Sequence, residues 1–366
     1  MSDQSPFNPS RLIRPIIYRM EPYTPIVPFD VLSAQLGIPE ADLIKLDANE
    51  NPYGPSPLVR RALAEAPYLH SYPDPESRTL RRSLSRYVGL APEYLLVGHG
   101  ADELIDLVMR LFLEPGDKII NCPPTFGMYK FDAEVNDRQV VSIRRRADFS
   151  LDVAAIETAA QDPAVKLLFL AAPNNPDGST IDKATLEKFL NLPIVVILDE
   201  AYVEFTNHSF IARVPDYPNL IVLRTFSKWA GLAGLRVGYG AFPLDIIAHL
   251  WKIKQPYNVN LAGQLAALAS LEDVDYLLAN VAKIIAGRRQ LQAGLNQIAW
   301  LRPYPSQTNF VLCRVIDRDA AQVKAVLAQQ GILVRYYNSS GLEDHLRFSV
   351  GTPTQIDRLL EALTSL

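Results

Sequence analysis

Three reactive side chains fall at the ends of apolar runs. Asp199 closes PIVVILDE (193–200), Lys228 follows NLIVLRTF (219–226), and Arg236 lies eight residues further on, in GLAGLRVGYG. A run such as VVIL is apolar enough to be buried, and a buried carboxylate without a partner is costly. Asp199 therefore needs a cationic partner there, unless it caps the following turn. A lysine after a strand is most often a solvated surface group. In a buried site beside another cation, its pKa falls and a nucleophilic lone pair becomes available. Tyr202, three residues past Asp199, and Asn175, in the turn-rich AAPNNPDG after VKLLFLAA, add hydrogen-bond donors at neighbouring run ends.

Two further features suit a phosphate. VGHGADELIDLVMRLF reads as a strand, a glycine turn and an amphipathic helix, so the amides from Ala101 through Asp102 to Glu103 gather at a helix amino terminus. The acidic side chains of that turn are expected to point away. GHGADE lacks the third glycine of a dinucleotide fingerprint. Ser227 and Arg236 flank the lysine, and an arginine binds phosphate with paired donors. An amine, an anion, phenolic and amide donors and a phosphate cradle together answer the needs of one cofactor, pyridoxal phosphate. Lys228 would take its aldehyde as a Schiff base, Asp199 would face its ring nitrogen, and Tyr202 and Asn175 its phenolate oxygen. Phe126, in CPPTFGMY after DKIINC, could stack on the ring, although an aromatic there is as readily core.

The elements that must position these groups are legible as alternation. From about residue 46 to 260, short aliphatic runs (YLLVG 94–98, DKIINC 117–122, VKLLFLAA 165–172 and the two named above) alternate with helical patterns. That is the signature of βα units around a largely parallel sheet, whose ligands bind beyond the carboxyl ends of the strands. A long helical pattern over 262–298 follows. FVLCRV (310–315), a helix near 319–330, ILVRYY (332–337), LRFSVG (346–351) and a terminal helix from about 354 then read as a smaller α+β domain. The expected division is an amino-terminal arm with part of the small domain in 1–45, a large cofactor domain in 46–260 and a small domain in 261–366. Six prolines in the first thirty residues favour an extended arm.

Composition narrows the function classes. With 36 Lys plus Arg against 40 Asp plus Glu, the net charge of −4 offers no basic field for nucleic acid. Cys122 and Cys313 have neither disulfide-framework nor metal-ligand spacing, so no metal is expected and a reducing, cytoplasmic setting is the simpler reading. No stretch approaches a membrane span, and the first residues lack a signal-peptide core.

In this order, LDANENPYGPS, SYPDPES, GHGADELI, PPTFGMY, PNNPDG, LDEAYVEF, TFSKWAGLAGLRVGYG, PYNVN, TNFVL and LRFSVGT resemble the class I/II aminotransferases of pyridoxal-phosphate fold type I, from about Pro22 to the last helix. The resemblance implies an aspartate-aminotransferase-like α/β fold. It implies Lys228, Asp199 and Tyr202 as catalytic residues, with Ala101, Asp102, Phe126, Asn175, Ser227 and Arg236 on the cofactor. Tyr72, in SYPD, matches a tyrosine reaching the cofactor phosphate of the other subunit, which implies a homodimer with shared sites. Arg347 matches the clamp for a substrate α-carboxylate, and Tyr23 and Arg335 line the substrate side chain or its phosphate. Asp177 stands where many relatives have Thr, Phe126 where Tyr is common, and the turn with His99 and Ala101 is often GNGS. The implied reaction is a ping-pong transamination between L-histidinol phosphate and 2-oxoglutarate in histidine biosynthesis. The rivals are an aromatic amino-acid aminotransferase, a phosphothreonine decarboxylase and a catalytically silent cofactor-binding protein.

Overall fold

A computed structural model describes residues 8–21, 27–206 and 208–366. Tyr23 lies outside them. The strands are β1 (Ile44–Leu46), β2 (Leu95–Gly98), β3 (Lys118–Asn121), β4 (Gln139–Ser142), β5 (Val165–Ala171), β6 (Val195–Asp199), β7 (Leu220–Thr225), β8 (Gly238–Ala241), β9 (Leu301–Pro303), β10 (Phe310–Val315), β11 (Ile332–Tyr336) and β12 (His345–Ser349). Seven form one sheet in the order β2-β8-β7-β6-β5-β3-β4. From β7 to β4 the pairs are parallel, while β8 runs antiparallel to both β2 and β7. The central strands are buried along almost their whole length, as a sheet covered by helices on both faces requires. Five strands form the second sheet, β1-β11-β12-β10-β9. It is antiparallel except where β1 pairs with β11, bringing the early chain onto the late sheet.

Parallel pairing brings the carboxyl ends of β5, β6 and β7 to one edge. Ala171 is opposite Asp199, and Asp199 is opposite Leu223. Asn175, Asp199 and Lys228 thus converge although 53 positions separate the first from the last. The antiparallel β8 brings Gly238 to the same edge, opposite both Gly98 and Thr225.

Two expectations are revised. The 262–298 pattern is two helices, Leu261–Glu272 and Val274–Asn296, broken at Asp273, whose φ of −121° is not helical. The Asp273 carboxylate accepts a hydrogen bond from the Ser56 hydroxyl, the N-cap of the helix Pro57–Ala64, and so holds the break in place. The first helix packs against Pro57–Ala64 and Arg78–Val88. The described part of the amino-terminal segment is not extended: it forms a 3₁₀ turn at Pro9–Leu12 and helices at Pro15–Arg19 and Phe29–Leu36. Pro9 and Pro15 sit at the first helical position, where the missing N–H costs nothing. Arg14 Nη2 donates to the Val135 carbonyl at 2.7 Å, tying this segment to the helix Met128–Val135.

Candidate active site

A cavity of about 560 Å³ opens at the strand edge, between the two sheets. What remains accessible of Lys228 faces it. Burial lowers the lysine's pKa to about 8, with the Arg347 charge adding to the effect and Glu50 and Asp102 opposing it. Its Nζ donates to the Ala48 carbonyl at 3.3 Å. Asp199, only 4% exposed, accepts from the Tyr129 hydroxyl at 2.7 Å and the Ala201 amide at 2.9 Å. Burial nevertheless outweighs those two bonds and raises its pKa to about 6. The site therefore holds an amine and a carboxyl that both resist charging, the condition of groups lacking their intended partner.

The remaining donors are oriented by neighbours. Asn49 Nδ2 donates to the Tyr202 oxygen at 3.0 Å, which leaves the phenolic hydrogen free to be donated into the cavity. Burial raises Tyr202 to about 12, so it stays protonated. Asn175 Oδ1 accepts from Arg347 Nη1 at 2.5 Å, so the amide nitrogen is the end left for a ligand. Arg347 Nη2 donates to the Asp47 carbonyl at 2.6 Å, while its Nε is buried and unpartnered. Arg335 stands directly opposite Arg347 across β11 and β12, and both line the cavity. Like charges at directly opposed positions destabilise a sheet, and no carboxylate forms an ion pair with either guanidinium among the described residues.

The phosphate cradle is assembled around two glycines. Gly100, at φ +76°, opens the helix Gly100–Phe112, and a Cβ there would meet the Arg236 guanidinium. On Gly238, a Cβ would overlap the backbone of Gly100 and Ala101. Only a strand without a side chain at 238 lets the helix terminus sit this close. Arg236, in the left-handed region at φ 54°, turns its guanidinium back to Asp102 Oδ2 at 2.6 Å. Glu103 faces away, accepting from the His99 amide and from Asn258. Asp102 does not: it lines the cavity and pairs with Arg236, contrary to the expectation that the acidic side chains of this turn point outward. Ser227 and Ala101 line the same space.

Phe126 also lines the cavity, with its ring edge-on to Tyr129 at 5.6 Å. Tyr72 is not brought in. It is 81% exposed and stacks on Tyr257 at 4.5 Å, outside this chain's own cavity. Asp177 shapes the loop beside the cavity, accepting from Asn174 Nδ2 and from the Ser179 amide and so holding the turn that presents Asn175. Two residues of the site escape sequence reasoning. Tyr129 sits in PPTFGMY, where nothing in the mixed sequence of its helix, MYKFDAEV, sets its hydroxyl apart; Asn49 sits in LDANENPYGPS, where a left-handed φ of 54° is unreadable from residue type.

These residues fit pyridoxal phosphate. A buried amine, a buried carboxyl lacking a cation and a glycine-built helix terminus beside Arg236 lie around one space. The profile of the family "Aminotransferase class I and II" matches residues 41–363. The chain belongs to that family. A histidinol-phosphate aminotransferase of Roseiflexus castenholzii is 52% identical over 96% of this chain and 97% of its own. The chloroplastic histidinol-phosphate aminotransferase of Nicotiana tabacum is 52% identical over 96% of this chain and 86% of its own. Among solved structures, the Sinorhizobium meliloti histidinol-phosphate aminotransferase in complex with pyridoxal-5'-phosphate superimposes with a TM-score of 0.87 at 29% identity, covering 96% of each chain. This family member thus has the aspartate-aminotransferase-like type I fold and is a pyridoxal-phosphate-dependent aminotransferase. Among its described residues, no cluster suits a metal ion and no helix is long and apolar enough to cross a membrane.

Proposed function

We propose that the chain transfers the amino group of L-histidinol phosphate to 2-oxoglutarate, giving imidazole acetol phosphate and L-glutamate in histidine biosynthesis. The observation that carries this reading is the pair Arg335 and Arg347, opposed across β11 and β12 without a carboxylate partner, in the cavity that holds Lys228. Such a pair suits a phosphate dianion or a dicarboxylate, more negative charge than the single carboxylate of phenylalanine or tyrosine offers. Arg347 would serve the α-carboxylate of glutamate in one half-reaction and face the phosphate in the other. Relatives 52% identical over nearly the whole chain support the same assignment.

When bound, pyridoxal phosphate supplies an aldehyde for the donor's amine and a protonated ring that accepts the electron pair left by the α-proton. Asp199, oriented by Tyr129 and Ala201, would pair with that ring nitrogen and favour its protonated form. Tyr202 and Asn175 Nδ2 would hold the phenolate oxygen, and the amides of Ala101 and Asp102, with Ser227 and Arg236, the phosphate end. Once free, the Lys228 amine would take the donor's α-proton on Nζ and return it two bonds away, a 1,3-shift in which the same amine is base and then acid. With a pKa near 8, about a tenth of the amine is neutral at pH 7, against less than about a thousandth for an ordinary lysine.

The exposed Tyr72 beside Tyr257 supports a homodimer in which each subunit completes the other's site. Two free buried cysteines support a cytoplasmic, reducing setting. We take 46–260 as the cofactor domain and 261–366, joined by part of 1–45, as the small domain; the pairing of β1 with β11 supports that join.

Borohydride reduction of the loaded enzyme should attach the cofactor to Lys228, found by peptide mapping, and Lys228→Ala should abolish turnover while leaving a folded protein. An unlabelled Lys228 overturns its assignment as the Schiff-base lysine. A higher kcat/KM for phenylalanine than for L-histidinol phosphate overturns the substrate.

A further inference from the structure

A third guanidinium reaches the Arg335 end of the cavity from the opposite sheet. Arg144 follows β4, the edge strand of the seven-stranded sheet, yet it lines the cavity together with Arg335, Ser339 and Ser340. Its Nη2 donates to the Ser340 carbonyl at 2.8 Å. Gly341, at φ +82°, provides the room, since a Cβ there would strike the Arg144 guanidinium.

The segment that carries Arg144 is fastened to the second sheet. Phe149, at φ 64°, is buried with Leu312 and Leu342, edge-on to Tyr304 at 4.8 Å. Arg145 Nη1 donates to the Phe149 carbonyl at 3.0 Å, closing the bend. Arg144 is thus exposed but positioned, unlike a surface arginine free to swing. One carbonyl uses one of its five N–H donors. Neither Arg144 nor Arg335 has a carboxylate in ion-pairing range among the described residues; the Arg335 guanidinium lies over the Tyr337 ring at 5.6 Å.

We propose that Arg144 is a donor-specificity residue, binding the anionic end of the amino donor together with Arg335 while its bond to Ser340 keeps the 339–341 loop at the cavity mouth. This rests on the transaminase reading above and adds to it a residue from the other sheet. Removing Arg144 penalises donors that end in an anion and spares donors that do not.

L-Histidinol phosphate and L-histidinol differ only in the phosphate, so the ratio of their kcat/KM values isolates the anion. Arg144→Gln should lower that ratio about tenfold, the scale of one charge-assisted hydrogen bond, chiefly through KM. Arg144→Lys, which keeps the charge, should recover part of the loss. On borohydride-reduced holoenzyme, which binds without turning over, calorimetry should show the Kd of L-histidinol phosphate rising by a similar factor. An unchanged ratio, or an equal loss on both donors, overturns the proposal and makes Arg144 a support for the loop alone. A wild-type enzyme indifferent to the phosphate refutes the functional reading, and the Arg144 role with it.

Discussion

Asp199→Asn should stabilise the protein when the cofactor is absent and weaken it when the cofactor is bound. Among this chain's own groups the carboxyl is raised from its ordinary 3.8 to about 6, with burial as the leading cause. Ionising it at neutral pH therefore costs the folded state about 3 kcal/mol, at 1.36 kcal/mol per pKa unit. The sign follows from proton counts: between 3.8 and about 6 the folded chain holds more proton than the unfolded one, so stability falls as pH rises through that window. Asparagine avoids the penalty because its oxygen can still accept from the Ala201 amide and its NH₂ can donate to the Tyr129 oxygen. The advantage of the variant should be about 3 kcal/mol at pH 7, about half that at pH 5 and little by pH 4. For a chain of 366 residues, the neutral value corresponds to a rise in Tm of about 4 °C. Calorimetric melts of both apo proteins across that range test it, with holo melts as the counterpart in which the wild type should lead. A variant no more stable than wild type at pH 7, or a gap that does not shrink on acidification, would refute the claim that Asp199 is a destabilised carboxylate awaiting a cation.

The neutral Lys228 amine should govern uptake of pyridoxal phosphate by the apo protein. With its pKa lowered to about 8, the capture rate should rise about tenfold from pH 6 to 7, reach half its maximum near 8 and level off by about 9; a midpoint near 10 would mean an ordinary, solvated lysine. Gly238→Ala should cost about 1–3 kcal/mol by forcing the helix amino terminus off β8 and should raise the Kd for the cofactor more than the same change at Gly127, which has open space around it. Equal cofactor affinity in the two variants would sink the argument that close approach at Gly238 builds the cradle.

What is legible in the sequence is whatever lies at the end of a strongly apolar strand. β5, β6 and β7 are nearly continuous aliphatic runs, so Asn175, Asp199 and Lys228 can be assigned to one edge from residue types alone. β8 reads GYGA, too rich in glycine to register as a strand, and the closeness of Gly238 to Ala101 is hidden with it. The helix break at Asp273 is invisible because it depends on Ser56, more than two hundred positions earlier. Tyr129 reads as core because most of it is: it is fully buried and stacks on Phe169, and only its hydroxyl belongs to the site.

The harder loss concerns register and energy. That Arg335 and Arg347 are directly opposed, and not one pleat apart on opposite faces, follows from the pairing of β11 with β12 and from nothing in LVRYYN or LRFSVG alone. The same holds for Arg144, which meets Ser340 only because Phe149 anchors a bend between two sheets. The deeper groups of the cavity carry charge that burial penalises. Asp199 is raised, Lys228 lowered, and Arg347 Nε buried without a partner. A sequence can mark such residues as reactive types, but the penalty that makes them reactive is a property of the assembled cavity. Because the two groups are opposite in charge, a cofactor with a cationic ring and an electrophilic carbonyl would answer Asp199 and Lys228 together, and an anionic substrate beside it would answer Arg347, so binding would add to the stability of the fold.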